Sequence, residues 1–473
     1  MSMKRVFSLI LAVLLFTSCS QTSNHRGKWS DELEVLMKQV NAEHHAVQKP
    51  ELVNYEYLIS TPIGERVTAK TVQANEDGSF SYAQAEADVN YLFDCLKNEY
   101  GLYDYYGGDE VFTAAKEEVL TACKSAKTLN AGILKQILWQ KFSFVNDCHF
   151  FIGETSAPMA SMPTAYTMSK MHCTFFNEER TFVKTKDGFK DENNRLVKVV
   201  EGFENVADAI KLSLTKDGEL VYRLVVQGNM FDRNFKLVKK RDITVIYSDG
   251  SKDVLTAQRY IMMHDNGSKL ELKWSEKIPV LTVKDFKSGM MKPYAEEMKN
   301  SDAVVLNLQN NAGGYMATTT AWYEEFCGEA VATNNLMIYR NYLKALSEVP
   351  GYQKLNNEAA VIWNTEDKFA ENDRLVILIV NNNTGSAGEL FTDMAFNLEN
   401  TLIVGESTMG CLTSGTSYLR TLPNSKLTLS YGNSIHLWPE SHFKEGEGIK
   451  PDIWCPYLYA EEAVLNFIKK NIQ

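Results

Sequence analysis

From residue 278 onward, short apolar runs rich in β-branched residues alternate with segments whose apolar positions recur at helical spacing. Val280-Leu281-Thr282-Val283 reads as a strand, 290–298 as a helix, and Val304-Val305-Leu306-Asn307-Leu308 as a second strand that runs into Gly313-Gly314. A helix at 318–326, a buried strand at 375–380, a helix at 386–398 and a strand at 402–404 continue the series. This alternation predicts an α/β core with a mainly parallel sheet and sites at the carboxyl ends of its strands. Between Tyr82 and Phe150 the period is helical throughout. Ala85, Val89, Leu92, Phe93 and Leu96 share one face, Val111, Ala115 and Val119 repeat it, and Leu134, Ile137, Leu138 and Phe142 continue it. Three helices are therefore expected to deliver the chain to Asn146-Asp147-Cys148-His149. Residues 160–270 instead hold strand-like runs, such as 220–226 and 243–247, set off by Asp217-Gly218 and Asp249-Gly250. One helix, at 206–214, is expected among them, in a β-rich module of PDZ-like type. Residues 52–82 suggest a hairpin turning at Asp77-Gly78, and Ser30-Asp31-Glu32 opens a short helix reaching Val40.

The first residues follow another logic. Lys4-Arg5 precede the apolar stretch 6–16, and Thr17-Ser18-Cys19 follow it. A basic start, a short apolar core and small residues mark a secretory signal, too short for a stable membrane anchor. The Cys after small residues resembles a bacterial lipoprotein box, which implies lipidation of Cys19; plain secretion is the alternative. Ser20 after Cys19 resembles the pattern that sorts lipoproteins to the outer membrane, where the protein would face the periplasm. The chain thus divides into a lipoprotein signal peptide (1–19), a tether and short helix (20–50), a hairpin and helical region carrying His149 (51–159), the β-rich module (160–270) and the α/β core carrying Ser386 (271–473).

Composition narrows the function. A length of 473 residues, 44% hydrophobic content and a net charge of −11 describe a multidomain globular protein without the basic stripe that nucleic acid requires. Eight cysteines, none in a CxxC pair, argue against zinc ribbons and thioredoxin-like chemistry. His436, Glu440 and His442 match no familiar ligand spacing. Neither a metal nor another cofactor is expected.

The stretch Asn381-Asn382-Asn383-Thr384-Gly385-Ser386-Ala387-Gly388-Glu389 leaves a buried strand and enters a helix. Ser386-x-x-Glu389 satisfies a capping box, so Ser386 has a purely structural reading. A Ser on such a turn also stands beside free backbone N–H groups, which stabilise the oxyanion formed when it attacks a carbonyl. The two readings are compatible. Gly313-Gly314 supplies a second loop whose backbone can approach a ligand closely.

In order along the chain, Asp147-Cys148-His149, the strand and Gly-Gly loop of 306–314, Asn383 to Glu389, Gly405 to Gly410, and Glu445-Gly446-Glu447-Gly448-Ile449-Lys450-Pro451-Asp452-Ile453 resemble the S41 peptidases, the C-terminal processing and tricorn-like proteases. The resemblance implies a ClpP/crotonase-like α/β core. It also implies catalysis by Ser386, a base at His149, a carboxylate at Glu445, and oxyanion donors from Ala387 and Gly313 or Gly314, with Cys148 and Glu389 in support. Cys411 stands where the processing branch has its Lys, which places the chain closer to the Ser-His-Glu tricorn-like branch. Cys148 replaces that branch's Ser beside the His, and Asn307-Leu308-Gln309 replaces Asp-Leu-Arg. The resemblance brings Cys148 and Cys411 close together.

Neutral His takes a hydroxyl proton near pH 7, and a nearby carboxylate orients the ring. The function expected is therefore an exported, lipid-anchored serine endopeptidase that cleaves extended or unfolded polypeptide through an acyl-enzyme. Its activity should fall as pH drops through roughly 6–7. Two alternatives stand beside it: a peptide-binding pseudoenzyme of the same fold, and an esterase-type acyl hydrolase using His436 or His442.

Overall fold

A computed structural model describes residues 29–473 except 52–56, 59, 65–66, 78, 155–171, 233–235, 261–268, 287–290, 341–351, 355–359 and 364–368. The signal and lipoprotein box lie outside the described residues. Among these residues no helix is long and apolar enough to cross a membrane.

Two sheets organise the described residues. The larger begins in the α/β core with β9 (Leu270–Ser275), β10 (Ile278–Val283), β11 (Ala303–Asn307), β15 (Leu375–Val380), β16 (Thr401–Gly405) and β19 (Ile453–Trp454). Strands β10, β11, β15, β16 and β19 run parallel, and β9 closes one edge antiparallel. All six residues of β15 are buried, as are all five of β11 and of β16. Burial on both faces is why these strands read as unbroken apolar runs rather than alternating ones. Helices α5 (Lys292–Met298), α6 (Met316–Cys327) and α7 (Ala387–Ala395) contribute to the apolar core on one face, which includes Leu306, Leu378, Trp322, Tyr323 and Phe391. Helices α1 (Asp31–His45) and α8 (Ala460–Asn471) cover the other, against Val305, Ile377 and Val404. Pro293 at the start of α5 has no N–H to lose there.

The same sheet continues through β5 (Ile210–Leu214) into the β-rich module. That module comprises β2 (His172–Thr185), β3 (Gly188–Asp191), β4 (Val197–Val200), β5, β6 (Leu220–Asn229), β7 (Lys240–Tyr247) and β8 (Lys252–Gln258). The helix expected at 206–214 is not formed: residues 206–208 make one 3-10 turn, and 210–214 pair with β6. β-branched and alternating residues beside an available strand edge outweigh a weak helical period. The module packs its own core of Phe175, Phe182, Val226, Val245 and Tyr247.

The second sheet holds β1 (Phe151–Glu154), β12 (Leu336–Tyr339), β13 (Tyr352–Lys354), β14 (Ala360–Trp363), β17 (Ser414–Thr421) and β18 (Leu427–Leu437). Helices α2 (Tyr82–Glu99), α3 (Gly108–Ser125) and α4 (Ala131–Lys141) pack over it, sharing a core that joins Leu92, Phe112 and Phe142 to Ile152, Leu429 and Ile435. The three expected helices are all present. The hairpin expected at 52–82 is not seen: its described residues form no strand, although Asn75 and Ser79 do close a turn over Asp77. The segment is held across the fold instead, with Val67 N–H on Asp94 and Val72 N–H on Asn424.

Two connections cross between the sheets and meet. Residues 406–413 leave β16 for β17, and residues 438–452 leave β18 for β19. His149 lies just ahead of β1, and Ser386 just beyond β15.

Candidate active site

Ser386 stands between β15 and α7 at φ 51°, ψ −119°. A non-glycine residue in that region costs about 1–3 kcal/mol and persists only where its surroundings hold it. Several contacts do so. Ser386 N–H donates to Glu389 Oε2 at 3.1 Å, and Gly385 N–H donates to the Asn311 carbonyl at 2.8 Å. Thr384 Oγ1 donates to the Leu308 carbonyl at 2.8 Å, and Met409 N–H to the Thr384 carbonyl at 2.8 Å. The glutamate half of the capping box is therefore present. The Ser386 hydroxyl faces His149, with Oγ 3.1 Å from Nε2.

Gly313 presses against this turn. A Cβ there would lie 2.7 Å from Ser386 Cβ, and its φ of +109° disfavours any side chain. Its N–H is taken by Asn311 Oδ1 at 2.9 Å, so Gly313 is not the free donor that the sequence allowed. Ala387 N–H and Gly314 N–H make no hydrogen bond among the described residues. They are the donors left for an oxyanion.

His149 reaches Ser386 through an aromatic and polar frame. Asp147 Oδ1 accepts the His149 N–H at 2.9 Å and the Ser414 hydroxyl at 2.8 Å, while Oδ2 accepts Tyr100 Oη–H at 2.9 Å. Tyr100, Phe142 and Phe150 pack together behind the loop. The ring's other nitrogen, Nδ1, lies 3.9 Å from Cys411 Sγ and 3.9 Å from Asp147 Oδ1.

Glu445 is buried near this cluster, but its oxygens are occupied by backbone. Oε1 accepts Cys148 N–H at 3.0 Å, and Oε2 accepts Leu412 N–H at 3.2 Å and Thr413 N–H at 2.9 Å. It joins the His149 loop to the 406–413 crossover, and its described hydrogen bonds do not include the ring. Glu389 does the same on the Ser386 side. Besides Ser386 N–H, it accepts Thr408 Oγ1–H at 2.6 Å, Gly410 N–H at 2.7 Å and Cys411 N–H at 2.8 Å. Cys148 and Cys411 are neighbours and both are buried; the Cys148 thiol also reaches the Gly410 carbonyl at 3.6 Å.

Protonation follows from these contacts. Burial alone lowers the His149 pKa, but Cys411, then Asp147 and Glu445, outweigh it and raise it to about 10. Hydrogen bonding from Cys148 and the charge of His149 bring Cys411 down to about 6 against its burial. Burial raises Glu389 to about 8 and Glu445 to about 7, opposed by the donors on each.

The other candidate histidines do not contact Ser386, although His436 lies near enough to His149 to feel its charge. His442 Nε2 meets Asp393 Oδ1 at 2.7 Å, and His436 Nε2 meets Ser434 Oγ at 3.1 Å, with burial lowering the His436 pKa to about 3. Asn307 donates to Glu461 at 2.7 Å and Gln309 to the Tyr457 carbonyl at 3.1 Å, so these neutral amides tie β11 to the start of α8. Among the described residues no group of three His, Cys, Asp or Glu could hold a metal ion. Sequence reasoning quoted Asp147 and Cys411 without giving either a place beside the ring. No spacing rule links residues 147, 149 and 411.

A Ser at a strand-to-helix turn, a His on its hydroxyl and N–H groups beside it with no partner among the described residues form an arrangement suited to serine-type acyl transfer. The family model for peptidase family S41 matches residues 277–455. Curated relatives include the "Probable CtpA-like serine protease" of Staphylococcus aureus strain COL, 25% identical over 241 residues, which are 48% of this chain and 43% of that protein. The protein of the same description from Staphylococcus saprophyticus is 26% identical over 219 residues, 43% of this chain and 40% of its own. The chain thus spans less than half the length of these relatives. Among solved structures, mature CPAF aligns over 82% of this chain and 95% of its own at 12% identity and a TM-score of 0.40. The tricorn protease aligns over 81% of this chain and 35% of its own at 13% identity and a TM-score of 0.37.

Proposed function

We propose that this protein is a serine endopeptidase that cleaves extended polypeptide through an acyl-enzyme, with Ser386 as nucleophile and His149 as base. The observation that carries the reading is the 3.1 Å contact between Ser386 Oγ and His149 Nε2, made at a helix start where Ala387 N–H has no acceptor among the described residues. In the first step His149 Nε2 takes the Ser386 proton while Oγ attacks the peptide carbonyl, and Ala387 N–H and Gly314 N–H receive the oxyanion. The imidazolium then returns its proton to the leaving amine, and water, activated by the same ring, releases the acyl group. Glu389 and Glu445 hold the loops that aim the pair and do not touch the reacting atoms.

The β-rich module supports a polypeptide substrate by position. Gln227, at the end of β6, donates to Ser407 Oγ at 2.7 Å, and His172 N–H donates to the Gly446 carbonyl at 2.9 Å. The module therefore rests on both crossover loops that frame the site. Lipidation of Cys19 after signal cleavage would tether the protein to the cell envelope, at the outer membrane. Loss of radiolabelled palmitate incorporation in Cys19→Ser would support that anchor, and equal labelling of the variant would reject it.

The activity is tested with the soluble body starting after Cys19, a mixture of unstructured peptides, and mass spectrometry of the products. Cleavage lost in both Ser386→Ala and His149→Ala supports the reading. A folded protein that binds these peptides without cutting them is the peptide-binding pseudoenzyme instead.

A further inference from the structure

His149 must carry its proton on Nδ1 if Nε2 is to accept one from Ser386, so Nδ1–H needs an acceptor. The groups around the ring come from five directions. Asp147 and Cys148 belong to its own loop, Tyr100 to the end of α2, Cys411 to the 406–413 crossover, Glu445 to the 438–452 crossover, and His436 to β18. The carboxylates are engaged elsewhere. Asp147 Oδ1 already accepts two donors and Oδ2 a third, and its 3.9 Å separation from Nδ1 exceeds a hydrogen bond to oxygen. Glu445 accepts three backbone N–H groups. Sulfur is larger than oxygen and accepts over longer distances, and Cys411 Sγ lies 3.9 Å from Nδ1.

We propose that Cys411 is the positioning residue on the far side of His149: its sulfur accepts the Nδ1–H, sets the ring's tautomer and stabilises the imidazolium formed when Ser386 is deprotonated. The proposal rests on the peptidase reading for its kinetic consequences but not for its geometry. Cys411 is built into place for this role. Its N–H is held by Glu389, the following two N–H groups are held by Glu445, and its side chain is buried with Cys148 beside it. The lowered Cys411 pKa and raised His149 pKa have the direction that a sulfur anion facing an imidazolium produces. No bond to sulfur forms or breaks. The proton passes from Ser386 Oγ to Nε2 and on to the leaving group, while Nδ1–H stays directed at Sγ.

Two arms test this on the body starting after Cys19. In the first, kcat, KM and the pH dependence of kcat/KM are measured for wild type, Cys411→Val, which fills the space without an acceptor, and Cys411→Ser, which keeps one. The expected result for Cys411→Val is a roughly tenfold to hundredfold fall in kcat with KM within about twofold, and an acid limb moved to lower pH. Cys411→Ser should recover most of kcat. In the second arm, 15N-histidine NMR, assigned with His149→Gln, reads the tautomer and pKa of His149 without any substrate. The expected result in wild type is a raised His149 pKa with an Nδ1–H tautomer at pH values above it, and a lowered His149 pKa in Cys411→Val. An unchanged His149 pKa and tautomer in Cys411→Val overturns the proposal, as does loss of activity in both variants with an unmoved acid limb. Absence of peptide cleavage by wild type together with a Cys411-dependent ring pKa would reject the peptidase reading while supporting this one.

Discussion

Ser386 and His149 meet at 3.1 Å, yet the two sides of that contact are assembled by different means. The serine side is local. Strand β15, the turn at 381–386 and α7 form one continuous strand-turn-helix, and the glutamate that holds Ser386 N–H lies three residues away. The histidine side is dispersed. Its loop is braced by Tyr100 from α2, Ser414 from β17, Glu445 from the β18–β19 crossover and Cys411 from the β16–β17 crossover. The nucleophile turn is formed within one strand-turn-helix and braced by Leu308 and Asn311 and by Met409 of the crossover, whereas a base aimed at it requires the packing of two sheets. The glutamates show the same contrast. Glu389 binds the crossover to the serine turn, and Glu445 binds the next residues of that crossover to the histidine loop.

The sharpest way to break the comparison is at the contact itself. Ser386→Ala should lower kcat by at least about ten-thousandfold, and His149→Ala by a similar factor, with the double variant no worse than either, because the two act as a unit. Additive losses measured by single-turnover assay would show that they do not.

Gly313→Ala tests the local side. Its Cβ would lie 2.7 Å from Ser386 Cβ at a φ of +109°, so a roughly hundredfold loss of kcat is expected without loss of secondary structure by circular dichroism. Unchanged kcat would mean that the turn yields at low cost.

Glu445→Ala tests the dispersed side. Freeing three buried N–H groups should destabilise the fold by about 3–5 kcal/mol in urea unfolding and lower kcat through a displaced His149. A loss of stability with kcat retained in the folded fraction would detach Glu445 from the site.

The pH profile sharpens the picture further. Because Cys411, Asp147 and Glu445 outweigh burial and favour the imidazolium, the acid limb of kcat/KM should lie above the ordinary His value of about 6.5, with activity rising as pH rises. A limb at or below about 6.5 would mean that burial dominates the ring.

The smallest effect concerns a buried histidine that does not contact Ser386. His442 pairs with Asp393 beneath α7, away from Ser386, so His442→Gln should cost about 1–3 kcal/mol of stability and leave kcat within about twofold.

The parallel core was legible because doubly buried strands are written as apolar runs, and the helices between Tyr82 and Phe150 because periodic segments of 11 to 18 residues are hard to mistake. Residues 206–214 misled because nine residues carry little period, and pairing with β6 decided their state. Ser386 and His149 could be picked out as candidates from the residues and from the order of motifs, and the structure brings them together. That Gly313 N–H is closed off by Asn311, leaving Ala387 and Gly314, appears only in the folded chain.

The sequence by itself determined the alternation that builds the core, the strand-to-helix turn carrying Ser386, and the residue types available for acyl transfer. All three depend on neighbours within a few residues, where periodicity and turn chemistry act. The tertiary structure alone decided what faces Nδ1 of His149 and what the buried glutamates hold. Residues 100, 149, 389, 411 and 445 become neighbours only when both sheets and their crossovers are packed. No local rule of spacing encodes a contact across 262 residues, such as that between His149 and Cys411.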